Sequence, residues 1–137
     1  MQDRPPIRIA VALLTGSDGR VLLVRKRGTS VFMQPGGKIE PGEAPVDALR
    51  RELYEELGLV VSPSSPMAIG RFTAVAANEA GRMIDADIFR LPVVQTPEPR
   101  AEIDEAVWVT LAQAGELNLA PLTRDCVLPM FREMSVL

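Results

Sequence analysis

An α/β fold is predicted by three observations: two pairs of short aliphatic runs that read as hairpins, one strongly amphipathic helix between them, and a helical C-terminus after a strand around Trp108. The length of 137 residues fits a single domain, residues 1–137, with one core. Residues 7–14 are rich in Ile, Val and Leu and read as a buried strand, and Gly16-Ser17-Asp18-Gly19 is a turn signal. Residues 21–25 follow as the hairpin partner and run into the basic cluster Arg25, Lys26 and Arg27. That cluster reads equally as a solvated strand end or as a set of phosphate contacts. Pro35-Gly36-Gly37-Lys38 and Pro41-Gly42 then flank Ile39-Glu40, which predicts a long, stiff loop where the backbone can come close to a ligand. It is not a P-loop, because Lys38 is followed by Ile39, which has no hydroxyl to hold magnesium.

Residues 43–57 carry the strongest helical pattern. Pro45 suits the first turn, Val46, Leu49, Leu53 and Leu57 recur at helical spacing, and Gly58 is placed to end the helix in a left-handed conformation. At about 100° per residue these aliphatics cover a stripe roughly 80° wide, the face expected to meet a sheet. Glu52, Glu55 and Glu56 fall on the neighbouring stripe at i, i+3 and i+4. Like charges at that spacing repel. Arg51 is positioned to reach Glu55, which leaves Glu52 and Glu56 without a neutralising partner, and a divalent cation would neutralise all three.

Past the helix, residues 59–61 are extended and 62–66 form a turn. Residues 69–77 and 83–91 read as strands joined by Asn78-Glu79-Ala80-Gly81, a second hairpin. Residues 93–101, with Pro97 and Pro99, form a surface loop leading into the acidic run Glu102, Asp104, Glu105. Residues 106–109 are a strand, and a Pro-broken helix starts near Leu122.

Composition narrows the chemistry. The net charge of −3 provides no basic field for a nucleic-acid polymer or an anionic membrane, so any phosphate is held locally by a few side chains or a metal. With no histidine, His-dependent triads and imidazole zinc sites are excluded, and carboxylates are left as the acid-base groups. The single cysteine, Cys126, reads as a small buried hydrophobe. No secretion signal is recognisable, and the longest early apolar run, residues 9–14, is far short of the ~20 residues that span a bilayer, which predicts a soluble, cytoplasmic protein.

Gly37, Glu43, Arg51-Glu52-Leu53, Glu55-Glu56 and Gly58-Leu59, with their spacings, match all nine constrained positions of the Nudix box. The chain therefore resembles the Nudix hydrolase family, and the flanking strands, acidic loop and C-terminal helix extend the resemblance over nearly its whole length. The resemblance implies an α/β/α sandwich with a mixed sheet between helices. It implies Mg²⁺ or Mn²⁺ bound by Glu52, Glu55 and Glu56 with the carbonyl of Gly36, while Gly37, Glu43 and Arg51 support the site. It also implies hydrolysis of a nucleoside diphosphate linked to another group, with Glu55, Glu56 or a loop acid as base. Glu102, six residues before Trp108, fits the loop acid best, and Glu105 is the alternative. Arg25, Lys26 and Lys38 are the candidate substrate contacts, and Phe72, Phe89 and Asn118 are available for a base. Size and loop sequence resemble MutT-type enzymes, which points to a (deoxy)nucleoside triphosphate; ADP-ribose or another sugar nucleotide is the alternative substrate. A non-catalytic nucleotide sensor is the alternative of another class, and the intact glutamates argue against it. The isomerase branch of the fold would need histidine ligands that this chain lacks. A homodimer is compatible with all of these readings.

Overall fold

The computed structural model describes residues 4–135; residues 1–3 and 136–137, the expected ends of the domain, lie outside the described residues. Strand β1 (Ile7–Thr15) runs parallel to β6 (Met83–Pro92) along its full length, from Ile7 opposite Ile84 to Thr15 opposite Pro92. β6 forms the expected hairpin with β5 (Met67–Val75). The first hairpin departs from expectation. β2 (Val21–Lys26) meets β1 only at Val21 opposite Thr15, then swings away to pair with β3 (Phe32–Met33) and, over its whole length, with β7 (Ile103–Val109).

The space that β2 vacates beside β1 is taken by β4 (Gly36–Lys38), which lies antiparallel to Ile9, Ala10 and Val11. The expected loop at residues 35–38 is thus partly a strand. The reason is steric: Gly36 has φ 143°, and a Cβ there would be driven into the Ala10 carbonyl oxygen, so only a glycine lets the two main chains lie this close. β7 likewise begins three residues earlier than the hydrophobic pattern indicates, because Arg25 on β2 pairs with Asp104 and Glu105 across the strands.

Helix α1 (Pro45–Leu57) follows an extended Ala44 and starts two residues later than expected. It ends where Gly58, at φ 68°, donates to the Tyr54 carbonyl and Leu59 donates to that of Leu53. Its Leu49, Leu53 and Leu57 pack on one face of the sheet with Ala10, Ala12 and Leu14 of β1. Val11 and Leu13 point to the other face, against Val127, Leu128 and Phe131 of the C-terminal helical segment. A mixed sheet between helical layers is the predicted sandwich. The short α2 (Leu111–Ala114) was not apparent in the sequence pattern, being only one turn held by a capping box between Thr110 and Gln113.

The C-terminal helix is broken differently from expectation: a π-helical turn over Thr123–Val127, with the Leu128 N–H donating to the Thr123 carbonyl, precedes α3 (Leu128–Ser135). Pro129 follows directly on the π-helical turn, as the second residue of α3, in a stretch that is helical without a break from residue 121. Cys126 packs partly buried against the second core. Among the described residues no helix is long and apolar enough to cross a membrane.

Candidate active site

Where β2 parts from β1 a cavity of about 590 Å³ opens, walled by β1, β4, the glutamate face of α1, residue 102, the turn after β5 and the segment leading into the π-helical turn. Glu52, Glu56, Glu102, Lys26, Lys38, Gly36, Gly37 and Arg51 border it. Arg25, Glu43 and Glu55 do not line it. Two glycines bring the glutamates in: a Cβ on Gly37 would overlap the Glu52 carboxylate, and the Gly36 N–H donates to Glu56 Oε1 at 3.1 Å.

Glu56 is only 7% exposed, which is unusual for a carboxylate. Burial pushes its pKa up to about 7; the Gly36 N–H opposes the rise, and the charges of Glu52 and Glu102 add to it. Burial also raises Glu52, with Arg51 pulling against it and Glu55 adding to it. Arg51 engages Glu52 at 2.6 Å and reaches Glu55 only at 3.8 Å, the reverse of the partnership expected from helical spacing. The same guanidinium holds both oxygens of Glu43 at 2.9 Å and donates to the Lys38 carbonyl at 3.0 Å, so it ties the loop, β4 and α1 together. That grip, with the Glu40 N–H, lowers the Glu43 pKa to about 2.

Arg25 and Glu55 lie off the cavity lining, and Lys38 on its wall already has a partner. Arg25 is spent on Glu105 (3.0 Å), Asp104 (2.9 Å) and the Thr29 carbonyl (2.9 Å). Glu55 stands outside the cavity with its side chain 54% exposed. Lys38 is at the cavity wall and pairs at 3.1 Å with Glu79 of the β5–β6 turn. Of the residues available for a base, Phe89 is buried under α1, Phe72 packs against the second core, and Asn118 donates to the Ser30 hydroxyl. Sequence reasoning missed Gln34 and Thr123, which line the cavity and are bonded to each other at 2.8 Å. Their only sequence signal is the position of Gln34, directly before Pro35-Gly36-Gly37.

The donors fit a hard divalent cation. Glu52, Glu55, Glu56, Glu102 and the Gly36 carbonyl offer oxygen alone; after burial, the charges of Glu52 and Glu102 help to raise Glu56 and that of Glu55 helps to raise Glu52, with Lys26 and Arg51 offsetting part of this. Among the described residues no three acidic side chains are already drawn together as a cage.

A family model described as NUDIX domain matches residues 5–131. The chain is 31% identical to a CTP pyrophosphohydrolase of Escherichia coli (strain K12) over 116 residues, 81% of this chain and 82% of that protein. It is 37% identical over 62 residues to an 8-oxo-dGTP diphosphatase of Haemophilus influenzae, covering 42% of this chain and 46% of the other. The crystal structure of a MutT protein from Methanosarcina mazei Go1 superposes with a TM-score of 0.82 at 25% identity, covering 98% of this chain and 99% of that one.

Proposed function

The chain belongs to the NUDIX family of pyrophosphohydrolases, and from that premise we propose that it is a Mg²⁺-dependent enzyme cleaving a phosphoanhydride bond of a (deoxy)nucleoside triphosphate. The observation that carries this reading is the cavity itself, where Glu52, Glu56 and Glu102 stand beside Lys26 and Lys38. The likeness to a CTP pyrophosphohydrolase over most of both chains supports a triphosphate ahead of ADP-ribose.

Glu52, Glu55 and Glu56, with the Gly36 carbonyl, are the residues that would hold Mg²⁺ or Mn²⁺. Such an ion, when bound, acidifies water and neutralises phosphate oxygens. Lys26 and Lys38 bind the phosphates as point charges, Lys38 exchanging Glu79 for a phosphate oxygen. Arg51 and Glu43 orient Glu52 and keep the glycine strand against α1. Glu102 takes the proton from the attacking water at its carboxylate oxygen. Among the described residues Glu102 has no ion-pair partner, whereas Asp104 and Glu105 are both held by Arg25.

Turnover of a panel of nucleoside triphosphates, ADP-ribose and sugar nucleotides, with products identified, tests the reading. Activity on triphosphates should vanish in excess EDTA and return with Mg²⁺. Glu102→Gln should cut kcat by at least ~10²-fold, the usual contribution of a general base, and Glu105→Gln by only a few-fold. Full activity in EDTA, or a preference for ADP-ribose, would sink the corresponding part.

A further inference from the structure

The connection from β6 to β7 is tied to the end of α1 through its own main chain. Of Pro97, Glu98, Pro99 and Arg100 only the second and fourth keep an N–H, and both donate to the last carbonyls of the helix. The Glu98 N–H reaches the Leu57 carbonyl at 2.9 Å and the Arg100 N–H reaches the Glu56 carbonyl at 2.8 Å. Carbonyls that a helix leaves without partners at its end thus become a rail for this segment. The two prolines alternate with the donors, where no N–H is needed, and bias Thr96 and Glu98 toward extended backbone. A segment restricted in this way loses little freedom when it docks.

The Arg100 side chain adds a second grip. Its guanidinium lies 5.9 Å from the centre of the Tyr54 ring and packs against Gly58, where a Cβ would come within 2.7 Å of it. The chain then turns sharply, the Ile103 N–H donating to the Arg100 carbonyl at 3.0 Å. Ala101 stands in that turn at φ 53° and is the one residue other than glycine with a positive φ among those described. An L-residue held there carries strain that persists only where its surroundings impose it. On the far side the Arg27 N–H donates to the Glu102 carbonyl at 2.8 Å. Glu102 is therefore pinned between α1 and the end of β2, with its side chain on the cavity wall, and its charge helps to raise the Glu56 pKa. Neither Arg100 nor Ala101 lines the cavity.

We propose that residues 97–101 form a rigid strap that sets the distance between Glu102 and the glutamates of α1, with Arg100 and Ala101 as its positioning residues. Both act through the Glu102 carboxylate. This rests on the reading of Glu102 as the base and adds what holds that base in place. A base works only within hydrogen-bond reach of the proton it takes, which a freely moving connection does not secure.

The test compares Ala101→Val, Ala101→Gly, Arg100→Met and Arg100→Lys, with Ala101→Val and Arg100→Met also combined with Glu102→Gln. Kinetics on the nucleotide turned over fastest are read beside hydrogen exchange of the Glu98 and Arg100 amides in EDTA. A β-branched side chain does not keep a left-handed turn, whereas glycine takes it freely. Ala101→Val should lower kcat at least ~10-fold with KM within about threefold, and Ala101→Gly should restore kcat to within about threefold of wild type. Arg100→Met should lower kcat by about fivefold, and Arg100→Lys, which keeps a charge over Tyr54, should recover part of that. Exchange of the Arg100 amide should quicken at least ~10-fold in Ala101→Val and Arg100→Met and stay slow in the other two. In the Glu102→Gln background both substitutions should change kcat by less than about 1.5-fold, because the group they place is gone. Undiminished losses in that background, or wild-type kcat in Ala101→Val, would overturn the proposal while leaving Glu102 as the base. If Ala101→Val shows no cooperative melt, Arg100→Met and its double variant decide. Should Glu102→Gln itself keep wild-type kcat, the base reading fails and the strap's role with it; a chain that hydrolyses no nucleotide fails both.

Discussion

Glu56→Gln should lose at least ~10²-fold in kcat and still fold. The loss follows from removing one preorganised charge at the reacting centre, which typically costs that much. The fold should survive because Gln has the same shape and can still accept from the Gly36 N–H. Metal-free stability should even rise. With a folded pKa of about 7 against an ordinary 4.5, Glu56 keeps its proton in the folded chain where the unfolded chain has released it. Folded protein therefore binds more protons between those values, and stability falls as pH rises from 4.5 to about 7. In EDTA, melting temperatures across that window should decline for the wild type and decline less for Glu56→Gln. A variant that unfolds while retaining its activity per folded molecule would make this glutamate structural.

Adjacent glycines should fail in opposite ways. An alanine at Gly36 meets backbone, the Ala10 carbonyl and the Val11 Cα, at a φ of 143° that L-residues rarely adopt. β4 cannot then lie on β1, and Gly36→Ala should cost about 3 kcal/mol or more, read as a large drop in melting temperature. The three atoms that an alanine Cβ at Gly37 would meet first all belong to the Glu52 side chain, which yields more easily than backbone. Gly37→Ala should stay within about 1 kcal/mol of wild type yet lose roughly 10²-fold in kcat, since an ångström of misplacement at a reacting centre has that effect. Equal thermal losses at both positions would show that the Glu52 carboxylate is not what Gly37 accommodates.

What could be read in advance was local. Val46, Leu49, Leu53 and Leu57 announce α1 because their spacing is the helix period, and Gly58 announces its end. The glutamates could be named because they share that helix. β4 was hidden because strand signals come from alternating side chains, and Gly36 and Gly37 have none. The capture of Arg25 by Asp104 and Glu105 depends on the register of β2 against β7, which neither segment encodes alone. Gln34 and Thr123 meet across 89 positions of chain, so their bond could be seen only once both faces of the cavity were assembled.

The parallel pairing of β1 with β6 also bears on how the chain reaches this structure. A strand of Ile, Val and Leu from the first residues finds its full-length partner only after β5 and β6 exist, and its early contacts with β2 and β4 are brief. Loop closure over that distance must precede any reward, which places the chain among slower folders. During synthesis the apolar edge of β1 stays open until β6 has emerged, the period in which association with other nascent chains competes. Dilution or a chaperone that shields β1 should therefore raise refolding yield more than any change that strengthens α1.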